Sequence, residues 1–419
     1  MHCAARVGIA TALLATGAVI GVETPGYASS YQLTDIVTDD NTNLVELGFP
    51  AAITVDPNLV NPWGVSFTPT TSPFWISDNG TGLTSLYRAT GVQVTPPSPV
   101  TIAPPLVPPP GFTNSAPTGQ VNNQTSGFVV TQGTKSGAAA FIFATEDGTI
   151  SGWNPNVNPT SSVIGVDNSP SGAVYKGLAI ATTSNGSFLF ATNFRSGMVE
   201  QYNSSFGFVK SFSDPNPPPV PPGTPAGQNW APFNVQVVNG QLYVTYALQD
   251  AAKHDDVAGP GNGFVDVFDL NGNLVKRLIN TGSGNPLNSP WGLAVAPAGF
   301  GAFANDLLVG NFGDGAINAF DPTTGAFLGT LDDSNGNPIA IPGLWDITIG
   351  NNGVGVDPNA LYFTAGLPNF NMPDLGLEED GLFGALSVVA PEPGSLAILG
   401  SAMAGLIWLR RRRTRQVAR

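Results

Sequence analysis

A segment of one shape recurs six times along this chain, and its period limits the possible folds more than any other feature. It opens with Pro62-Trp63-Gly64-Val65-Ser66-Phe67, Thr125-Ser126-Gly127-Phe128-Val129-Val130, Tyr175-Lys176-Gly177-Leu178-Ala179-Ile180, Pro232-Phe233-Asn234-Val235-Gln236-Val237, Pro290-Trp291-Gly292-Leu293-Ala294-Val295 and Leu344-Trp345-Asp346-Ile347-Thr348-Ile349. Taking Gly64, Gly127, Gly177, Asn234, Gly292 and Asp346 as equivalent gives intervals of 63, 50, 57, 58 and 54 residues. A period near 50 residues signals propeller blades or a solenoid.

Each unit continues with a second β-rich run such as Phe74-Trp75-Ile76-Ser77 or Leu242-Tyr243-Val244-Thr245. A third follows, such as Phe264-Val265-Asp266-Val267-Phe268, and a fourth, such as Leu274-Val275-Lys276-Arg277-Leu278. Hairpin dipeptides punctuate the runs, among them Asn79-Gly80, Asp147-Gly148, Asn239-Gly240 and Asp314-Gly315, so each unit reads as four antiparallel strands. No helical pattern intervenes, which predicts an all-β, six-bladed propeller over residues 29–389. The last unit stops after its third run, Leu382 to Val388, while Tyr31 to Val37 forms an orphan strand at the other end. The N-terminal strand is therefore expected to close the ring, a device that a solenoid has no use for.

The repeats resemble NHL-type and gluconolactonase-like six-bladed propellers. With the opening Tyr31-Gln32-Leu33-Thr34-Asp35-Ile36-Val37 and a Pro-Glu-Pro tail, the whole chain resembles an uncharacterised bacterial family of exported propeller-like proteins, a likeness that brings no activity with it.

The two ends read as export signals. Residues 1–28 hold Arg6, the apolar run Val7 to Val22 and a cleavage-like Gly26-Tyr27-Ala28, the pattern of a signal peptide. Residues 390–419 hold Pro391, Glu392 and Pro393, an apolar stretch to Leu409, then Arg410, Arg411, Arg412 and Arg413. This tail resembles the PEP-CTERM sorting signal, which implies an exosortase-type processing enzyme as partner. The apolar helix would insert transiently in the inner membrane with its arginines on the cytoplasmic side. An ordinary C-terminal anchor is the alternative. Localisation is expected in the envelope or outside the cell, with an envelope or exopolysaccharide component as a further partner.

Charge excludes other partners. The chain carries 15 basic and 29 acidic residues, and without both ends 8 and 27 remain, a body near −19. Such a surface repels nucleic acid. The only cysteine is Cys3 and the only histidine of the body is His254, which leaves little for zinc, haem or thiol chemistry.

Four long insertions, Thr95 to Gln124, Asp214 to Asn229, Gln249 to Asn262 and Gly366 to Asp380, are expected to converge on one face of the ring and to carry binding. Second strands end near that face with Asp78, Glu146, Asn193 and Asn311. In gluconolactonase-like propellers, carboxylates and amides of this region hold a divalent cation, so the resemblance implies these four as a candidate Ca2+ or Mg2+ set. Turn chemistry is the competing account, since Asp and Asn before Gly suit any hairpin. Asp332 to Asn337 reads as a turn, His254 as a solvated side chain of an acidic loop, and Trp63, Trp291 and Trp345 as blade packing. No catalytic residue is assigned. The function expected is ligand or partner binding through the loop-rich face, with a metal-dependent lactonase-like hydrolase and a structural matrix protein as alternatives.

Overall fold

The computed structural model describes residues 29–389 apart from 70–71, 108–113, 283, 352, 354 and 372–375. The predicted signal peptide and sorting tail lie outside the described residues. Among those described, no helix is long and apolar enough to cross a membrane.

Alternating apolar runs broken by tight turns fold as expected, into six four-stranded antiparallel blades that follow chain order until the N-terminal strand completes the last, where the short strand Thr54–Val55 adds parallel to it. At Asn239-Gly240 both residues have positive φ, 49° and 75°, the two-residue turn whose twist suits a hairpin. The inner strands of blades 1 to 6 are Pro62–Ser66, Pro117–Asn122, Tyr175–Thr183, Trp230–Val238, Pro290–Val295 and Leu344–Ile349. Each packs against the inner strands of its two neighbours, and that of blade 6 meets that of blade 1. The propeller is closed.

The closing strand behaves as the sequence predicts. Ser30–Thr38 pairs antiparallel with Asp380–Val389, Tyr31 opposite Val388 and Thr38 opposite Leu382, and supplies the fourth strand of blade 6. A bulge between Asp35 and Val37 interrupts the ladder. The short helix Asn41–Glu46 was not expected; it is started by Asp40, whose side chain accepts from the N–H groups of Thr42 and Asn43.

Blade 2 departs from the sequence reading. Its inner strand is Pro117–Asn122, so Gly119 rather than Gly127 is the pivot, and the intervals become 55, 58, 57, 58 and 54 residues. Gly127 precedes a hairpin, Val129–Gln132 with Lys135–Ala138, inserted between the first and second strands. The glycine requirement explains the pivots: a Cβ on Gly64 would lie 2.6 Å from the Thr118 carbonyl oxygen, and one on Gly119 2.5 Å from the Leu178 nitrogen. Inner strands touch backbone to backbone there.

This corrects the insertions too. Thr95 to Gln124 is not one loop: it contains part of the third-to-fourth connection of blade 1, the strand Val100–Thr101, the connection 102–116 and the whole inner strand of blade 2. In an antiparallel meander, fourth-to-first and second-to-third connections share one face. The described residues of the connections after Thr101, Phe212, Leu248 and Leu367 therefore lie there, whereas the hairpin of blade 2 and Pro96, Pro97 and Pro99 lie on the opposite face.

Candidate functional site at the propeller axis

Strand pairing places one residue from each blade at matching heights. The residues directly before the pivots are Trp63, Thr118, Lys176, Phe233, Trp291 and Trp345, all at most 2 % exposed. Trp63 of blade 1 meets Trp291 of blade 5 edge to face at 5.9 Å, and Phe233 of blade 4 meets Trp345 of blade 6 at 5.8 Å. Non-adjacent blades can touch only on the axis. The recurrent tryptophans therefore form an aromatic plug with Phe194, Ala247 and Phe312 across the central channel.

Lys176 is the one charge in this column. Its Nζ lies 5.0 Å from the centroid of Trp63, a cation–π contact, and bonds Glu146, with Asp255 at 3.3 Å. Burial pulls the ammonium toward neutrality, but Glu146 and Asp255 outweigh it and hold its pKa above the ordinary value. A polar chain then crosses the loop-bearing face. Trp345 Nε1 donates to Asn61 Oδ1 at 3.0 Å, Asn61 Nδ2 to Asn79 Oδ1 at 3.3 Å, and Asn79 Nδ2 to Glu146 Oε2 at 2.9 Å. Beyond Lys176, Asp255 Oδ1 bonds His254 Nδ1 at 2.9 Å.

The loop 368–379 adds Glu378, whose Oε1 accepts from Asn61 Nδ2 at 3.1 Å. Burial, then the Glu146 charge, pushes its carboxyl up to about 8. Asn61 and Glu378 both adopt positive φ, 46° and 79°. Such backbone costs on the order of 1–3 kcal/mol and clusters at functional sites. His254 is raised from its ordinary value by its bond to Asp255. Its side chain stays 40 % exposed, in keeping with the sequence reading, and with Arg195, Ser169, Asp147 and Glu146 it lines a cleft of about 240 Å³ walled by Ala116, Gly172, Ala173 and Val174.

The four residues predicted to hold a cation are not brought together. By strand register, Asp78, Thr145, Asn193, Tyr246, Asn311 and Ala365 are equivalent, opposite Pro62, Pro117, Tyr175, Pro232, Pro290 and Leu344. Glu146 is one residue further on, and one residue along a strand reverses the side chain. The axial column is thus Asn79, Glu146, Phe194, Ala247, Phe312 and Gly366. Asp78 is fully buried beside Ser85 and Asp56, and its carboxyl is raised well above the usual range by burial. Asn193 donates to Glu200 at 2.8 Å, and Asn311 to the Pro286 carbonyl at 2.7 Å and Asp314 at 3.0 Å. Asp333 accepts from the N–H groups of Asn335 and Asn337, so Asp332 to Asn337 is a turn.

Among the described residues one trio does approach metal geometry: Glu146, His254 and Asp255 offer ligand atoms within 4.8 Å of one another. It does not fit a divalent ion, because the buried Lys176 ammonium already stands between the two carboxylates. What the arrangement supplies is a fixed row of alternating charges below an open cleft.

The fold and the axis define a six-bladed β-propeller with a plugged channel and a charged cleft over the plug. The chain belongs to the family of two uncharacterized proteins of Acanthamoeba polyphaga mimivirus, each 30 % identical. One match covers 321 residues, 74 % of this chain and 72 % of the relative, and the other 295 residues, 69 % and 73 %. These relatives are viral. No family model matches. Similar solved structures include virginiamycin B lyase of Staphylococcus aureus (TM-score 0.44, 10 % identity, 86 % of this chain and 100 % of that one) and a glucose dehydrogenase (0.46, 13 %, 80 % and 98 %). Another is a protein of unknown function from Bacteroides thetaiotaomicron (0.47, 11 %, 86 % and 76 %).

Proposed function

We propose that this protein is an exported, ligand-binding propeller that takes a small anionic compound, or the anionic group of a larger partner, in the cleft over Lys176. The supporting observation is that Arg195 and His254 flank a small-walled cleft in a strongly acidic chain. Among the described residues, the Arg195 guanidinium bonds no carboxylate, only the Ala252 carbonyl at 3.5 Å. A guanidinium and an imidazole held toward its charged form favour carboxylate or phosphate.

Succinate and inorganic phosphate titrated calorimetrically into the mature chain test this. We expect binding that weakens about tenfold, close to 1.4 kcal/mol, in Arg195→Ala and again in His254→Ala. Absence of binding at millimolar concentration, or undiminished affinity in both variants, overturns the placement.

Export rests on residues 1–28 and 390–419 of the sequence. Intact-mass analysis of protein recovered from its native host should give termini near residue 29 and near Pro391-Glu392-Pro393. A full-length mass would remove the export reading. Metal-dependent hydrolysis would require Lys176 to leave the Glu146, His254 and Asp255 trio. Addition of Ca2+, Mg2+ or Zn2+ is expected to leave the melting temperature unchanged.

A further inference from the structure

The channel has a second mouth beyond the aromatic plug, on the face opposite the charged cleft. It is a cavity of about 280 Å³ formed where inner strands run past their pivots, with Trp291 among its walls. That volume is at the small end of ligand sites, which start at roughly 300 Å³. We propose that this mouth is a separate binding site for a neutral polyhydroxylated ligand the size of one sugar ring, a free monosaccharide or the end residue of a glycan. It does not depend on the anion site.

Three observations carry this. First, the polar lining is almost uncharged although the chain is strongly acidic: Gln236, Asn122, Thr348 and Ser66 contribute amides and hydroxyls, and Asp346 the single carboxyl. Burial pushes that carboxyl up to about 7. An anionic ligand would find no counter-charge here and a cationic one only the Asp346 carboxyl, whereas amides both donate and accept and so match hydroxyl groups.

Second, hydrogen-bonding capacity is left over. Gln236 Oε1, Asn122 Oδ1 and Trp291 Nε1 have no partner among the described residues. Buried polar groups are ordinarily satisfied, and small rotations of the two amides would turn these acceptors onto a guest's hydroxyls. Third, apolar and polar surfaces alternate. Val65, Leu178 and Val235 stand beside the amides. A sugar ring has the same two-sided character, C–H groups on its faces and hydroxyls at its rim.

Saturation-transfer NMR on the full mature chain with D-glucose, D-galactose and D-mannose, and glycerol as the minimal polyol, tests the site. Transfer to the ring C–H protons of at least one hexose is expected, with glycerol weaker. Gln236→Leu and Thr348→Val should each weaken the best hexose about fivefold to tenfold, as loss of one hydrogen bond implies, and Arg195→Ala should leave it unchanged. No transfer from any hexose at tens of millimolar would overturn the proposal. So would transfer that survives both substitutions undiminished or is lost in Arg195→Ala.

Discussion

Lys176 Nζ lies 5.0 Å from the centre of the Trp63 ring, and at that contact the polar half of the axis meets the aromatic half. Glu146 and Asp255 hold the ammonium from the loop side, and the plug supports it from below.

Breaking this arrangement from one side should be costly. Lys176→Met keeps the volume but strands Glu146 in a buried site, and loss of one partner of a buried pair costs about 3–5 kcal/mol. Urea denaturation of Lys176→Met, Glu146→Gln and the double variant checks it. The double variant should be more stable than the sum of the single losses implies. Simple additivity would show that the pair is not coupled.

Gly119→Ala tests the register of blade 2. Its Cβ would meet the backbone of Gly177 and Leu178, and neither strand can retreat without opening the ring. A loss of roughly 1–3 kcal/mol or more is expected, read from the denaturation midpoint. A neutral effect would contradict the inner position of Pro117–Asn122.

Stability should fall as pH rises through neutrality. Asp35 is buried on the closing strand, both carboxylate oxygens are without a partner among the described residues, and burial raises it to about 6. Burial likewise raises Asp39 to about 7. A carboxyl with a folded-state pKa above its unfolded value of 3.8 binds its proton more tightly when folded. Its contribution is greatest below that unfolded value and is lost by the time pH has risen through the folded one. The melting temperature should thus be higher near pH 5 than near pH 8. Asp35→Asn should flatten the profile and gain most at the alkaline end.

Removal of residues 29–38 would expose the edge of Asp380–Val389, ten residues long and largely buried in the intact ring. An open strand edge of that length is an association site. Light scattering should detect aggregation of the shortened chain at temperatures where the whole propeller stays monodisperse.

The ring, its blade count and its closure were legible because the glycine pivots and hairpin dipeptides recur with the architecture. Blade 2 was not, since a hairpin with its own Gly127 lies where a period of about 50 residues leads one to look. The expected cation set differs from the axial column for a smaller reason. Asp78 and Glu146 look equivalent in their strands, yet the pairings of Pro62 with Asp78 and Pro117 with Thr145 set them one residue apart. The residue that marks the site in the sequence is Lys176, a charge in a column otherwise held by Trp63, Thr118, Phe233, Trp291 and Trp345. Glu378 and Asp255 could not be placed, because nothing in a loop's composition says where its tip will fold.

Pairing of Ser30 with Val389 has a mechanical side. The strand that ends at Val389 is flanked by Ser30–Thr38 on one edge and Leu361–Leu367 on the other. Tension drawn along it from Val389 against the rest of the ring would load two ladders in shear, all rungs together, rather than peel one ladder rung by rung. A propeller held at that end is built to resist being pulled apart.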